Sequence, residues 1–108
     1  MPSRPPGRRA DGAAAGYEAR LDRRSNAELA CLLAHPNPWH RATARRLLIE
    51  RDAAAVVPWL LRHLRSGEPQ LALECLWTLH GLDRLDTELA VETLQHADPY
   101  VRLWTVRL

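Results

Sequence analysis

Asn37-Pro38-Trp39-His40-Arg41, Glu68-Pro69-Gln70-Leu71-Ala72 and Asp98-Pro99-Tyr100-Val101-Arg102 are three versions of one pentapeptide, with prolines 31 and 30 residues apart. The agreement extends outward on both sides. Five residues before each proline stands a leucine (Leu33, Leu64, Leu94), and nine before stands Leu29, Leu60 or Ala90. Six residues after stands a small residue (Ala44, Cys75, Thr105), and ten after stands Leu48 or Leu79. Asn37, Glu68 and Asp98 can each cap a helix whose first residue is the proline, because proline lacks the N–H that a first-turn position would leave unsatisfied. A period near 30 residues, built from two helical stretches around a proline turn, is the pattern of an α-solenoid.

The units implied are 25–52, 53–84 and 85–108. In the first, Ser25 with Glu28 has capping-box spacing, and Leu29, Leu32 and Leu33 form a helical stripe, predicting helices over 26–34 and 38–51. In the second, Ala54 to Arg65 is expected to start firmly at Val57, because Pro58 suits only a first turn, and to stop at Gly67. Its partner over 69–82 is apolar around more of its circumference than the other helices, as befits a helix with neighbours on both sides. The third opens at Asp86 or Thr87, turns at Pro99 and runs to Leu108, so its second helix is expected to be cut short. An open solenoid end normally needs a polar cap, so a fragment of a longer protein, or a module stacked on something else, is expected.

Residues 1–24 read as a linker or disordered arm, with six arginines against three acids and prolines or glycines at 2, 5, 6, 7, 12 and 16. Only Tyr17 to Arg24 has the composition for a short capping helix, packing Tyr17 and Leu21 over the first unit. Arg8-Arg9 is followed by no apolar stretch, which argues against a twin-arginine leader, and no run approaches a membrane span. All 15 basic residues are arginine. Residues 25–108 hold nine arginines against ten acids, so the repeats lack the basic stripe that a nucleic-acid solenoid needs.

Asp98-Pro99-Tyr100-Val101-Arg102 resembles the Asp-Pro-x-Val-Arg turn of HEAT repeats, which lies between the two helices of a unit. Unit one keeps the arginine but has His40 for the valine; unit two has Ala72 in place of the arginine, which puts an arginine ladder in doubt there. The resemblance implies a right-handed solenoid of about three HEAT-type helix pairs. A narrower likeness covers 25–108: the stretches 35–41, 44–51 and 76–82 are similar to the HEAT segment of large exported bacterial proteins described as membrane-bound dehydrogenases. In those proteins a sugar-dehydrogenase-like propeller precedes the repeats and a c-type cytochrome often follows. This chain has neither the propeller nor a Cys-x-x-Cys-His haem site. The likeness implies a spacer or docking module in an exported protein, whereas the chain alone, without a signal peptide, reads as cytoplasmic.

No residue pattern rises to catalysis. Cys31 and Cys75 are expected as small buried core residues, with a disulfide, and exposure of Cys31, left open. His35 and His96 share one repeat position, where an imidazole can meet the free carbonyls of a helix C-terminus, and no histidine pair has the spacing of a helical metal site. There is no nucleophile elbow, phosphate loop or Ser-His-Asp set. No enzyme activity, cofactor or metal is therefore expected. Trp39, Trp77 and Trp104 fall on second helices with Arg41, Arg45 and Arg46, and Trp and Arg are the types enriched at binding hot spots; packing between repeats is the alternative for each tryptophan, and above all for Trp77. The expectation is a non-catalytic scaffold that binds another protein, or a neighbouring domain of a parent chain, through these residues. The alternatives are a nucleic-acid-binding HEAT-like domain, against which the missing stripe counts, and a repeat protein like the bilin lyases.

Overall fold

The structure, a computed structural model, describes residues 20–66 and 68–108. Within them the chain is all-helical, with α1 (Asn26–Leu32), α2 (Pro38–Glu50), a 3-10 turn (Ala54–Val56), α3 (Val57–Ser66), α4 (Pro69–Gly81), α5 (Thr87–Leu94) and α6 (Pro99–Arg107). The arm over residues 1–19, Tyr17 and the stop at Gly67 lie outside the described residues. Arg20 to Asp22 are helical, and Leu21 is buried in the core.

Helix starts follow from local chemistry. Ser25 and Glu28 close a reciprocal capping box on α1. Asn37, Glu68 and Asp98 sit in extended backbone and accept from the N–H groups of Trp39, of Gln70 and Leu71, and of Tyr100 and Val101. Each cap therefore satisfies donors that the first turn leaves over. Pro58 holds the start of α3 back to Val57, after a 3-10 turn over the residues expected to open it.

The helix ends carry a feature absent from the sequence expectations. α2 and α4 both close on an aspartate in the left-handed region, Asp52 (φ 49°) and Asp83 (φ 60°), at equivalent places in their units. The following amides reach back, Ala53 N to Leu48 O at 3.1 Å and Arg84 N to Leu79 O at 2.8 Å, while Asp52 N and Asp83 N bond Ile49 O and His80 O. These are Schellman closures, normally built on glycine.

α1 packs on α2, α3 on α4 and α5 on α6, while α4 also packs on both α2 and α6. The core is the repeated leucine set: Leu29, Leu33, Leu48, Leu60, Leu64, Leu76 and Leu79 are fully buried, with Ala44 and Cys75 at the small-residue position. Thr105, the third small residue, is also buried and donates to Val101 O while its hydroxyl meets that of Thr93 at 2.9 Å. Close approach is enforced at Gly81, where a Cβ would stand 2.2 Å from Cδ1 and 2.7 Å from Cγ1 of Ile49 on α2. Leu94 departs from its column: it is 44% exposed, because no described helix packs on that side of α5.

Aspartate tolerates the left-handed region better than most residues but less well than glycine. Asp52→Gly and Asp83→Gly should each raise stability by about 0.5 kcal/mol, a shift of a few degrees in thermal melting. An unchanged or lowered melting temperature would show that the aspartates contribute something beyond the turn.

Candidate protein-interaction site

The six residues that sequence reasoning selected for binding fall into three groups. Arg41 is turned into the fold: Nη1 donates to His35 O at 2.9 Å and to Pro36 O at 3.0 Å, and Nε donates to Glu74 at 3.1 Å. The arginine that follows the turn proline therefore clamps the turn that precedes its own helix. Arg102 repeats the device on the carbonyls of His96 and Ala97 at 2.6 and 3.2 Å. Unit two has no such clamp, since Ala72 there is fully buried.

Glu74 compensates, and no sequence signal singled it out. Its side chain is 4% exposed and accepts from Arg41 Nε and, at 2.5 Å, from Arg45 Nη1. One carboxylate of unit two thus gathers two guanidinium groups of unit one, joining α2 to α4 by charge-assisted bonds. Where Ala72 put an arginine ladder in doubt, an acidic centre stands instead. A second ion pair crosses between first helices: Arg65 on α3 meets Glu92 on α5 through Nε at 2.7 Å and Nη2 at 3.1 Å. Arg65 holds the Glu92 carboxyl below its ordinary pKa.

The second group, Arg45, Trp77 and Trp104, forms a ladder that Arg107 extends. The Arg45 guanidinium lies over Trp77 at 5.2 Å, Trp77 meets Trp104 edge-on at 5.2 Å with an 88° tilt, and Arg107 lies over Trp104 at 5.7 Å. Arg46, Trp77 and Arg107 occupy one repeat position, eight residues after their prolines, so the alternation runs across α2, α4 and α6. Both tryptophans are half-buried, and each cation–π contact contributes about 0.5–1 kcal/mol at such sites. Trp39 stands apart, 38% exposed and edge-on to His40. With Ala42, Arg46, Ile49 and Glu50 it lines a shallow depression on α2. Arg46 is exposed there and pairs with Glu50 at 3.0 Å. The fourth tryptophan, Trp59 on α3, is partly buried and meets the His63 ring at 4.2 Å with a 41° tilt.

The cysteines and histidines take structural places. Cys75 is buried, and burial together with the Glu74 charge pushes its thiol up to about 12. Cys31, expected in the core, is exposed instead: two residues beyond Leu29 it lies about 200° round α1 from the buried stripe. Both are free thiols. His35 and His96 do not cap their own helices. Each Nδ1 accepts from the N–H of the cap residue, Asn37 or Asp98, at 2.9 Å. Nδ1 as acceptor leaves the proton on Nε2, which His96 donates to Leu64 O of α3 at 2.7 Å. This imidazole links unit three to unit two. Among the described residues no group of three His, Cys, Asp or Glu side chains is placed to hold a metal, and no helix is long and apolar enough to cross a membrane.

Removing the carboxylate leaves two guanidinium groups facing each other, partly relieved because Arg45 is 29% exposed. Glu74→Gln should cost about 2 kcal/mol in urea unfolding, whereas Glu50→Gln, which breaks only a surface pair, should cost less than about 0.5 kcal/mol. Equal losses would remove Glu74 from its central place. His40 has its pKa lowered from 6.5, first by burial and then by the nearby His35. Its neutral form is thus favoured in the fold, and protonation favours unfolding. Stability should hold above pH 6.5 and fall as pH drops below it, and His40→Gln should flatten that slope in urea midpoints measured across the range. Comparison with known protein families, characterised proteins and solved structures returns no match to this chain.

Proposed function

We propose that the chain is a non-catalytic, right-handed α-solenoid of HEAT type, whose second helices form the inner face and bind another protein. The reading is supported by three capped proline turns in one register, by the packing of α4 on both α2 and α6, and by the arginine clamps of Arg41 and Arg102. The observation that carries it is the Arg45–Trp77–Trp104–Arg107 ladder, which fixes planar cations and aromatic surface across the second helices α2, α4 and α6. A partner segment offering carboxylates and apolar side chains fits that chemistry, with Trp39 and Arg46 as its exposed contacts at one end. Arg41 contributes by holding the face together, not by touching the partner.

A place beside a sugar-dehydrogenase-like propeller or a c-type cytochrome rests on the sequence likeness over residues 25–108, and would make the partner a neighbouring domain. The proposal assigns no catalytic residue and no cofactor.

The test is a pull-down with partners identified by mass spectrometry, followed by titration of each. Trp39→Ala combined with Arg46→Glu should weaken a true inner-face partner by about tenfold or more in Kd. Partners retained equally by wild type and variant would sink the inner-face reading.

A further inference from the structure

The near-neutral charge of the repeats is divided by helix. α2, α4 and α6 carry five arginines against two glutamates, whereas α1, α3 and α5 carry two arginines against three glutamates. Both glutamates of the second helices are already engaged: Glu74 takes Arg41 and Arg45, and Glu50 takes Arg46. Arg102 is spent on two carbonyls. Arg107 meets no carboxylate among the described residues, and Arg45 uses only Nη1 on Glu74. The ladder therefore ends, on α2 and on α6, in a guanidinium with N–H groups left for an anion. An arginine stacked on an indole keeps those N–H groups in its own plane, at the rim of the ring, where a carboxylate can reach them.

The geometry limits what can bridge the two ends. Steps of 5.2, 5.2 and 5.7 Å set the terminal guanidinium groups no more than about 16 Å apart. α2 and α6 flank α4 at two interhelical spacings of about 8–10 Å, so the ladder cannot fold back far from that limit. Between the cations stand the two half-buried indoles, whose remaining surface is covered best by an apolar side chain. An extended chain rises about 3.3 Å per residue and turns side chains i, i+2 and i+4 to one face. Carboxylates four residues apart then stand about 13 Å apart with one side chain midway, and the reach of the acidic side chains supplies the remainder. A helical segment would need its acids about ten residues apart. A single nucleic-acid strand fits poorly, because it carries a charge at every nucleotide and would set phosphates against the indoles between the two cations.

We infer that the inner face takes an extended acidic peptide segment of the pattern acid-x-apolar-x-acid, with its two carboxylates on Arg45 and Arg107 and its apolar side chain against Trp77 and Trp104. The segment lies across the second helices, from α2 over α4 to α6. This rests on the inner-face reading and narrows its partner to one spacing of charge. Discrimination comes from that spacing: the cations are held at fixed places by Glu74 and by the rings, so acids set closer together engage one arginine and leave the other without a partner.

Calorimetric titration of the full chain at low salt tests it with two synthetic peptides of one composition. One carries the core Glu-Ser-Leu-Ser-Glu between Gly-Ser flanks, and the other the scrambled core Ser-Glu-Glu-Ser-Leu. The first should bind with a Kd on the order of 10⁻⁴ M and about fivefold or more tightly than the second. Arg107→Gln, at an exposed position, should keep the helical circular dichroism and erase that preference. Equal binding of the two peptides, binding of neither, or a preference that survives Arg107→Gln overturns the inference, as does tighter binding of a short oligothymidylate. The inner-face reading fails on a different result. Pull-down partners that are lost on Trp39→Ala with Arg46→Glu, yet are displaced equally by both peptides or by neither, leave the face standing and refute the spacing.

Discussion

Close approach of α2, α4 and α6 is the constraint on which the rest of the chain depends. α4 is packed on both sides, so its buried positions must serve two neighbours: Leu71, Ala72, Cys75, Leu76, Thr78 and Leu79 all lose their water. Small residues make this possible. Ala44 and Cys75 hold equivalent core places, and Gly81 admits the Ile49 side chain where a Cβ would collide with it. Once the helices are this close, polar groups between them must be satisfied internally. Glu74 and Thr78 meet that demand, the first through two arginines and the second by donating to Glu74 O at 2.7 Å. The stack is therefore held by apolar area for most of its contact and by one charged knot where area alone would leave buried donors open.

The turn chemistry was the most legible part of the sequence. Asn37, Glu68 and Asp98 before prolines and the Ser25–Glu28 box signal helix starts through short-range bonds, and the helix limits fall within a residue or two of where those residues put them. The buried leucine columns were equally readable in units one and two, because periodicity records a face that has a neighbour. Leu94 shows the limit of that logic: its register is that of Leu33 and Leu64, but burial depends on what packs against the column and not on the column itself. Asp52 and Asp83 were invisible because left-handed helix ends are ordinarily marked by glycine. Glu74 was invisible for a different reason. A lone glutamate in an apolar helix reads as solvated until its partners, 33 and 29 residues away, are brought beside it.

Of the candidate site, the residue types were legible and their roles were not. Six side chains share the second helices by sequence position, yet three-dimensional placement divides them. Arg41 is spent on the carbonyls of its own turn and on Glu74, while Arg45 serves Glu74 and Trp77 together. That double duty has a consequence for recognition. Arg45 is held at two points, so its planar cation is ordered before any partner arrives, and less side-chain entropy is lost when it is bound. Trp77 and Trp104 gain the same benefit from their edge-on contact.

The two ends of the stack differ in the way this economy is applied. At the first unit, polar groups close the structure: Arg51 satisfies the carbonyls of Asp22 and Arg24, and Leu21 fills the place where a preceding helix pair would sit. At the third unit the backbone is equally well satisfied, by Asp98, Arg102 and the His96 bridge to Leu64, but the outer columns of α5 and α6 remain apolar. The turns at both ends are tied by hydrogen bonds, so the difference among the described residues lies chiefly in apolar surface. Among the described residues, the large exposed apolar side chains other than Trp39 gather on α5–α6 and Leu108. On the proposed reading, the ordered Arg45–Trp77–Trp104–Arg107 ladder would set which partner is recognised.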